Sequence, residues 1–500
     1  MTALVAGAPS SGALRWKQIN WSDVRAHVYQ LQTRIAKAIR DNHWNKAKAL
    51  QYLLSRSFAA KLLAVKLVIT SKGSRTPGID GVKWRTPRQR WLAATTLISH
   101  GYKAQPLLRV LIPKKNGKTR PLGIPTLHDR AMQALYALGL KPIAETTADS
   151  HSYGFREKRS LHDAVKQSYI ALATKVAAPW VLEADIKACF DRISHEWLLT
   201  HIPLPTRILK QWLKSGYLSN NVLHETTQGT PQGGVISPLL CNMTLDGLQS
   251  LVIKGRNKKA RKLNIIRYAD DFIITGASPD YLQNVIKPDV ESFLAERGLT
   301  LSEEKTKLTH INTGFDFLGF TIRKYKQKLI VKPEKSKANE LRQKVKALLK
   351  QYRGVAFHVM LVKLNQLLRG WAYAHRQAVA KRLFSRLDND IYKLVCCWLR
   401  KAHRNKTWAW IAKHYRKRVN GRWQFSQLVV TPKRIVKTIC LFRLSDLPIR
   451  YHNKIRAQAT PYDPAFWDYF NKRQIWHQNM AIRDRQFLSA SSFDKLAKWR

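Results

Sequence analysis

Acidic residues are scarce in this 500-residue chain: 32 Asp and Glu stand against 88 Lys and Arg, a formal net charge of +56. A globular chain so one-sided repels itself unless a polyanion is present. Nucleic acid is therefore the expected partner and a membrane surface the weaker alternative. Charge alone does not separate a nucleic-acid enzyme from a basic protein that catalyses nothing. Cysteine is also thin. Cys189, Cys241, Cys396, Cys397 and Cys440 are scattered with no CxxC pair, so neither a zinc knuckle nor a disulfide framework is indicated. Long apolar runs are missing: none reaches the about 18 residues of a membrane helix. The start, MTALVAGAPSSGALRWK, lacks a charged head followed by a long apolar stretch. A soluble, reducing, cytoplasmic setting without membrane contact fits these deficits.

What is present can build large cores. Hydrophobic residues make up 45% of the chain, with 16 Trp, and the length allows about three domains of roughly 150 residues. From Trp21 to Val68 the pattern is helical: Val24, Val28, Leu31, Ile35 and Ala38 recur on one face, and Arg25, Arg34, Lys37 and Arg40 fall mostly elsewhere. Such a basic face either meets solvent or touches RNA. From Ser71 to Ile330 short apolar runs alternate with helical stretches and with Gly, Pro and Asn. TPGIDG (Thr76–Gly81) is a turn signal, and NGKTRP (Asn116–Pro121) reads as a hairpin tip between strands near Val110 and Leu122. The mixture predicts an α+β domain. After Pro333 the reading becomes helical, with segments around Leu341–Leu349, Leu361–His375 and Leu383–His403 able to pack as a bundle. No acid occurs between Asp390 and Asp446, which argues for RNA binding by this part.

Chemistry concentrates in three places. YADD (Tyr268–Asp271) sets two carboxylates between the apolar runs Ile265–Ile266 and Phe272–Ile274, as a tight hairpin would. Like charges held together are tolerated when a divalent cation neutralises them; an isolated Asp-Asp pair is more simply a solvated turn. This pair is not isolated. Asp185 ends the apolar strand VLEAD and is followed by CFD (Cys189–Asp191). Three Asp on two neighbouring strands would serve nucleotidyl transfer, which uses two Mg²⁺ ions about 4 Å apart, each bound by few carboxylates plus water and phosphate oxygens. Between the acidic strands lies TPQGGVISPLL (Thr230–Leu240), whose Gly pair permits close backbone approach and whose Gln232 can donate hydrogen bonds.

The order ADI-x-x-CFD, PQGG-x-x-SPLL, YADD, LSEEKT, FLGF resembles that of reverse transcriptases, and more narrowly of the reverse transcriptase–maturases encoded in bacterial group II introns. The likeness runs over nearly the whole chain and includes RPLGIPTLHDRAMQ (Arg120–Gln133), SYGFR (Ser152–Arg156) and LLRGWAYAH (Leu367–His375). It implies an α+β right-hand polymerase with an N-terminal helical extension (1–75), fingers and palm (76–332), an α-helical thumb or maturase domain (333–438) and a basic, DNA-binding-like appendage (439–500).

It further implies that Asp185, Asp270 and Asp271 bind the two Mg²⁺ ions, with the Ile186 carbonyl as an added ligand, and that deoxynucleoside triphosphates are the substrates. Lys114 and Arg120 match residues that grip the incoming triphosphate, where cations neutralise phosphate charge. Phe190 matches the bulky residue beneath the deoxyribose, where a ring would clash with a 2′-hydroxyl. Gln232 and Gly233 match nucleotide and template contacts, Lys305 a lysine near the departing pyrophosphate, and Phe317, Leu318 and Gly319 the hairpin that seats the primer end. The implied partners are the group II intron RNA, an RNA template with its DNA primer, and target DNA. The paired CxxC motifs of an HNH endonuclease are missing, so no zinc and no second-strand cleavage are expected. A maturase that only binds RNA, and a reverse transcriptase of another host system such as a defence module, are the alternatives. Phe190 disfavours an RNA-copying RNA polymerase.

Overall fold

The computed structural model describes residues 11–491 apart from 114–116, 118, 220, 221, 420 and 431–435. Two compact units emerge. One comprises Met1–Ala164, Ala178–Leu308 and Ile455–Trp467; the other comprises Val165–Ala177, Thr309–Lys454 and Asp468–Arg500.

The first unit is built around the helix Leu127–Thr147, capped by the Thr126 hydroxyl, which accepts the Asp129 N–H. Small and apolar residues occupy nearly every side of it, so almost the whole helix is buried, as an all-round apolar helix must be. The helices Trp21–Arg40, Trp44–Arg56 and Phe58–Thr70 pack on it. In the first of these Val28, Leu31, Ile35 and Ala38 are buried, while Arg25, Arg34, Lys37 and Arg40 stay exposed. Residues 455–467 return to this unit. There the Ile455 N–H donates to Asp163 at 2.8 Å, the Tyr462 hydroxyl to Glu157 at 2.9 Å, and Arg40 pairs with Asp463.

Eight strands of the described residues follow in order: β1 (Leu107–Pro113), β2 (Thr119–Ile124), β3 (Trp180–Asp185), β4 (Tyr217–Ser219), β5 (Val222–His224), β6 (Asn264–Tyr268), β7 (Asp271–Gly276) and β8 (Lys307–His310). One sheet has the order β2-β1-β4-β5, with β1 and β2 antiparallel and Val110 opposite Leu122. The other has the order β6-β7-β3-β8. Its strands are apolar where both faces are covered: Val181 and Leu182 of β3, Phe272, Ile273 and Ile274 of β7, and Ile265 and Ile266 of the edge strand β6 are all buried.

The second unit contains a three-stranded meander, β9 (Phe315–Phe317), β10 (Phe320–Tyr325) and β11 (Lys328–Pro333). Phe317 pairs with Phe320 across the two-residue turn Leu318–Gly319, both with positive φ. Helices Lys335–Gln351, Phe357–His375 and Lys381–Ala402 then bury Leu341, Val345, Leu364, Leu368, Phe384, Leu387 and Ile391 in one core. The helical reading after Pro333 needs correction downstream. β12 (Arg416–Val419), β13 (Arg422–Val430) and β14 (Val436–Cys440) form an antiparallel sheet. Their Val, Ile, Phe, Trp and Thr content carries strand preference; the run of positive charge hid it.

Candidate active site

Strand pairing brings the acids together. Asp185, the last residue of β3, lies directly opposite Asp271, the first of β7. Opposed residues of antiparallel strands project to the same face, with Cβ atoms about 5 Å apart. Tyr268 also pairs with Asp271, which leaves Ala269–Asp270 as the two-residue turn of the hairpin. The Ile186 N–H donates to the Asp270 carbonyl at 3.3 Å, binding the turn to the end of β3.

That turn is strained and braced. Ala269 has φ +58°, where a side chain costs about 1–2 kcal/mol. SYGFR supplies the brace. Tyr153 donates its N–H to the Arg267 carbonyl at 2.9 Å, and Arg267 donates its own to His151 at 3.0 Å. Gly154 lies so close that a Cβ would stand 2.4 Å from the Ala269 nitrogen. The Asn242 amide holds the Gly154 carbonyl at 2.7 Å, and the buried Arg267 guanidinium reaches Asp246 at 2.6 Å. Sequence reasoning assigned SYGFR to the family pattern without a role; its glycine between aromatics was the available signal for close packing.

Electrostatics show what the trio lacks. Burial, with the Asp185 charge behind it, raises the Asp270 carboxyl above its ordinary range. Burial and the charges of Asp185 and Asp270 push Asp271 up to about 7. Lys305 donates to Asp185 at 2.6 Å, and this bond raises the lysine. Among the described residues no three His, Cys, Asp or Glu side chains stand as a ready-made metal cage. An all-oxygen set with few protein ligands suits Mg²⁺, which keeps water and substrate oxygens, and does not suit zinc.

A stability consequence follows from Asp271. Between its ordinary value of 3.8 and about 7 the folded chain holds a proton that the unfolded chain has released. Without metal, stability therefore falls as pH rises through that window. Asp271→Asn removes the penalty, so in chelator it should melt above the parent at pH 8, with the gap closing toward pH 4. About three pKa units cap the gain at about 4 kcal/mol. Equal thermal midpoints at pH 8 would contradict the raised Asp271 carboxyl.

A second cluster adjoins the first. Gln232 donates its amide to both Asp191 carboxylate oxygens at 2.9 Å and accepts from Arg120 Nε at 2.5 Å. Because a carboxylate only accepts and a guanidinium only donates, the amide orientation is fixed. Its donors thus face Asp191, a residue the sequence reading quoted but gave no role. The Gly123 N–H donates to the Gln232 carbonyl at 2.8 Å, and a Cβ on Gly233 (φ +123°) would stand 2.5 Å from the Gly123 carbonyl. Gly233 is therefore required where the loop meets β2. Phe190 sits edge-on to Phe155, ring centroids 6.2 Å apart, and its carbonyl accepts from Thr230. Arg120 acts on the Asp270 carboxyl, lowering it, so the two clusters share one field. Lys114 lies outside the described residues. Phe317, Leu318 and Gly319 belong to the second unit, where both ends of the turn are buried phenylalanines.

Comparisons with known proteins agree on one class. Residues 112–322 match the family described as reverse transcriptase (RNA-dependent DNA polymerase). Residues 16–97 match the N-terminal domain of reverse transcriptase, and residues 338–416 the group II intron, maturase-specific domain. Protein YkfC of Escherichia coli (strain K12) is 33% identical over 301 residues, 51% of this chain and 78% of the relative. The group II intron-encoded protein LtrA of Lactococcus lactis subsp. cremoris is 30% identical over 354 residues, 57% of this chain and 59% of LtrA. The putative COX1/OXI3 intron 1 protein of Saccharomyces cerevisiae (strain ATCC 204508 / S288c) is 26% identical over 348 residues, 57% of this chain and 41% of that protein.

Proposed function

As the chain belongs to the reverse transcriptase–maturases of group II introns, we propose that Asp185, Asp270 and Asp271 hold the divalent cations with which it copies RNA into DNA. The observation that carries this is the register of Asp185 against Asp271, with Asp270 in the turn between β6 and β7. Mg²⁺ bound there would activate the primer hydroxyl and neutralise the triphosphate. The chain's own residues prepare the site. Burial and neighbouring charge raise two of the three carboxyls, Asp271 to about 7, and a cation bound there would offset both effects. Lys305 meanwhile supplies the positive charge at Asp185. Released from that pair, its ammonium stands free to meet the departing pyrophosphate.

Arg120 takes the triphosphate, held in its pose by Gln232 and, through it, by Asp191. Phe190 excludes a 2′-hydroxyl. Phe190→Val should therefore raise ribonucleotide use relative to deoxynucleotide by about 10-fold or more, since a lost steric clash is worth at least 1–3 kcal/mol. Competitive incorporation of UTP and dTTP measures this, and an unchanged ratio would place Phe190 in the core alone.

The partners follow from the same reading: its intron RNA for splicing, that RNA as template, and target DNA as the primer source. The cytoplasm of a bacterium is the proposed setting. The direct test feeds the purified chain poly-rA, oligo-dT, dTTP and Mg²⁺. Sustained dTTP incorporation is expected; none at all would leave a binding protein.

A further inference from the structure

After residues Thr309–Lys454 of the second unit, the chain returns to the first unit as a strap, residues 455–467, and leaves it again at Asp468. Nothing in the reaction described so far uses this strap. It is nonetheless firmly anchored. Ile455, Ala459 and Tyr462 are buried. Tyr29 donates its hydroxyl to the Pro461 carbonyl, and Arg40 pairs with Asp463, which fixes the strap to the helix Trp21–Arg40.

The remaining anchors converge on one segment, residues 149–163. The Ile455 N–H donates to one Asp163 oxygen at 2.8 Å; the other oxygen accepts from the Ser160 N–H and hydroxyl, each at 2.8 Å. The Tyr462 hydroxyl donates to Glu157 at 2.9 Å, where Lys141 also donates at 2.8 Å. Arg159 donates to the Ala457 carbonyl at 2.7 Å and to the Ser150 carbonyl at 3.2 Å. The first half of this same segment braces the β6–β7 hairpin: His151 and Tyr153 share backbone hydrogen bonds with Arg267, and Gly154 stands against Ala269. One guanidinium thus joins the residue beside His151 to a carbonyl 298 positions away. Apolar packing explains the buried strap side chains. It does not explain three polar contacts directed at the segment that holds the hairpin. A residue with positive φ such as Ala269 persists only where its surroundings over-determine it, and the strap supplies an outer layer of that support.

We infer that the strap positions the catalytic hairpin, with Arg159 and Tyr462 as positioning residues that act on Asp270 and Asp271 through Gly154. This rests on the assignment of those aspartates to the metal ions. Two readouts on the full chain test it. The first is amide hydrogen exchange in chelator, followed by mass spectrometry. The second is the Mg²⁺ concentration that gives half-maximal dTTP incorporation on poly-rA with oligo-dT. Arg159→Gln should speed exchange in peptides covering 151–156 and 265–272 and leave 315–333 at the parental rate. It should raise the Mg²⁺ midpoint by about 10-fold, the lower end for partners behind a metal ligand, with the primer–template KM unmoved. Arg159→Lys keeps the charge and a donor and should recover most of both effects. Tyr462→Phe removes one hydroxyl and should shift both readouts the same way by less. Parental exchange at 265–272 in Arg159→Gln overturns the inference. So does a lower kcat with an unchanged Mg²⁺ midpoint, or faster exchange throughout the first unit, which would make the strap a clamp on the fold alone. Should Arg159→Gln fail to fold, Tyr462→Phe decides, and unchanged exchange at 265–272 there overturns it. Exchange is read without metal, so it tests the strap by itself; Mg²⁺-dependent synthesis retained in Asp270→Asn/Asp271→Asn would sink only the metal assignment.

Discussion

Asp270→Ala/Asp271→Ala abolishes DNA synthesis and leaves RNA affinity intact or slightly raised. Each metal ion contributes several kcal/mol to the transition state, so losing both carboxylates of the hairpin costs about 10⁴-fold or more in rate. The hairpin should survive. Its strands are held by buried Ile265, Ile266, Phe272, Ile273 and Ile274 and by the Gly154 brace, not by the acids. Removing the two carboxylates relieves the burial cost and the repulsion that raise them. Primer extension under single-turnover conditions, with RNA binding followed alongside, separates the outcomes. Loss of synthesis with intact binding supports metal ligation. Collapse of both would mean that the acids hold the fold.

RNA affinity should fall steeply with salt. The chain carries 88 basic residues against 32 acidic ones, and each phosphate neutralised releases condensed counterions. With six or more contacts, affinity drops by about 10³-fold between 50 and 200 mM salt. The acid-free stretch from Asp390 to Asp446 predicts that the second unit carries a large share. Truncating exposed cations there, Arg418 or Arg422 for example, should lower the slope as well as the affinity. A flat salt response would mean recognition through stacking and hydrogen bonds, and the net charge would need another explanation.

What could be read beforehand depended on how local each signal was. YADD announced its own hairpin, because apolar runs on both sides of two acids leave little else for a short segment to do. The helix Trp21–Arg40 was equally visible through its buried face. The pairing of Asp185 with Asp271 was not local: 86 positions separate them, and the register is set between two largely apolar strands. It was expected from resemblance and is seen in the sheet. Asp191 was quoted without a role because its partner Gln232 lies on another loop. Gly154 escaped because its reason is a neighbouring backbone. The sheet of β12–β14 was missed where positive charge dominated a segment whose Val, Ile and Phe already pointed to strands.

Metal-directed cleavage bears most directly on the active centre. With Fe²⁺ replacing Mg²⁺, ascorbate and peroxide generate hydroxyl radicals at the bound ion, and mass spectrometry maps the cut backbone. The account predicts cuts clustered at Asp185 and at Tyr268–Asp271 together, suppressed by excess Mg²⁺ and lost in Asp270→Asn/Asp271→Asn. Cuts on one of these strands without the other, or cuts that Mg²⁺ does not suppress, would contradict it.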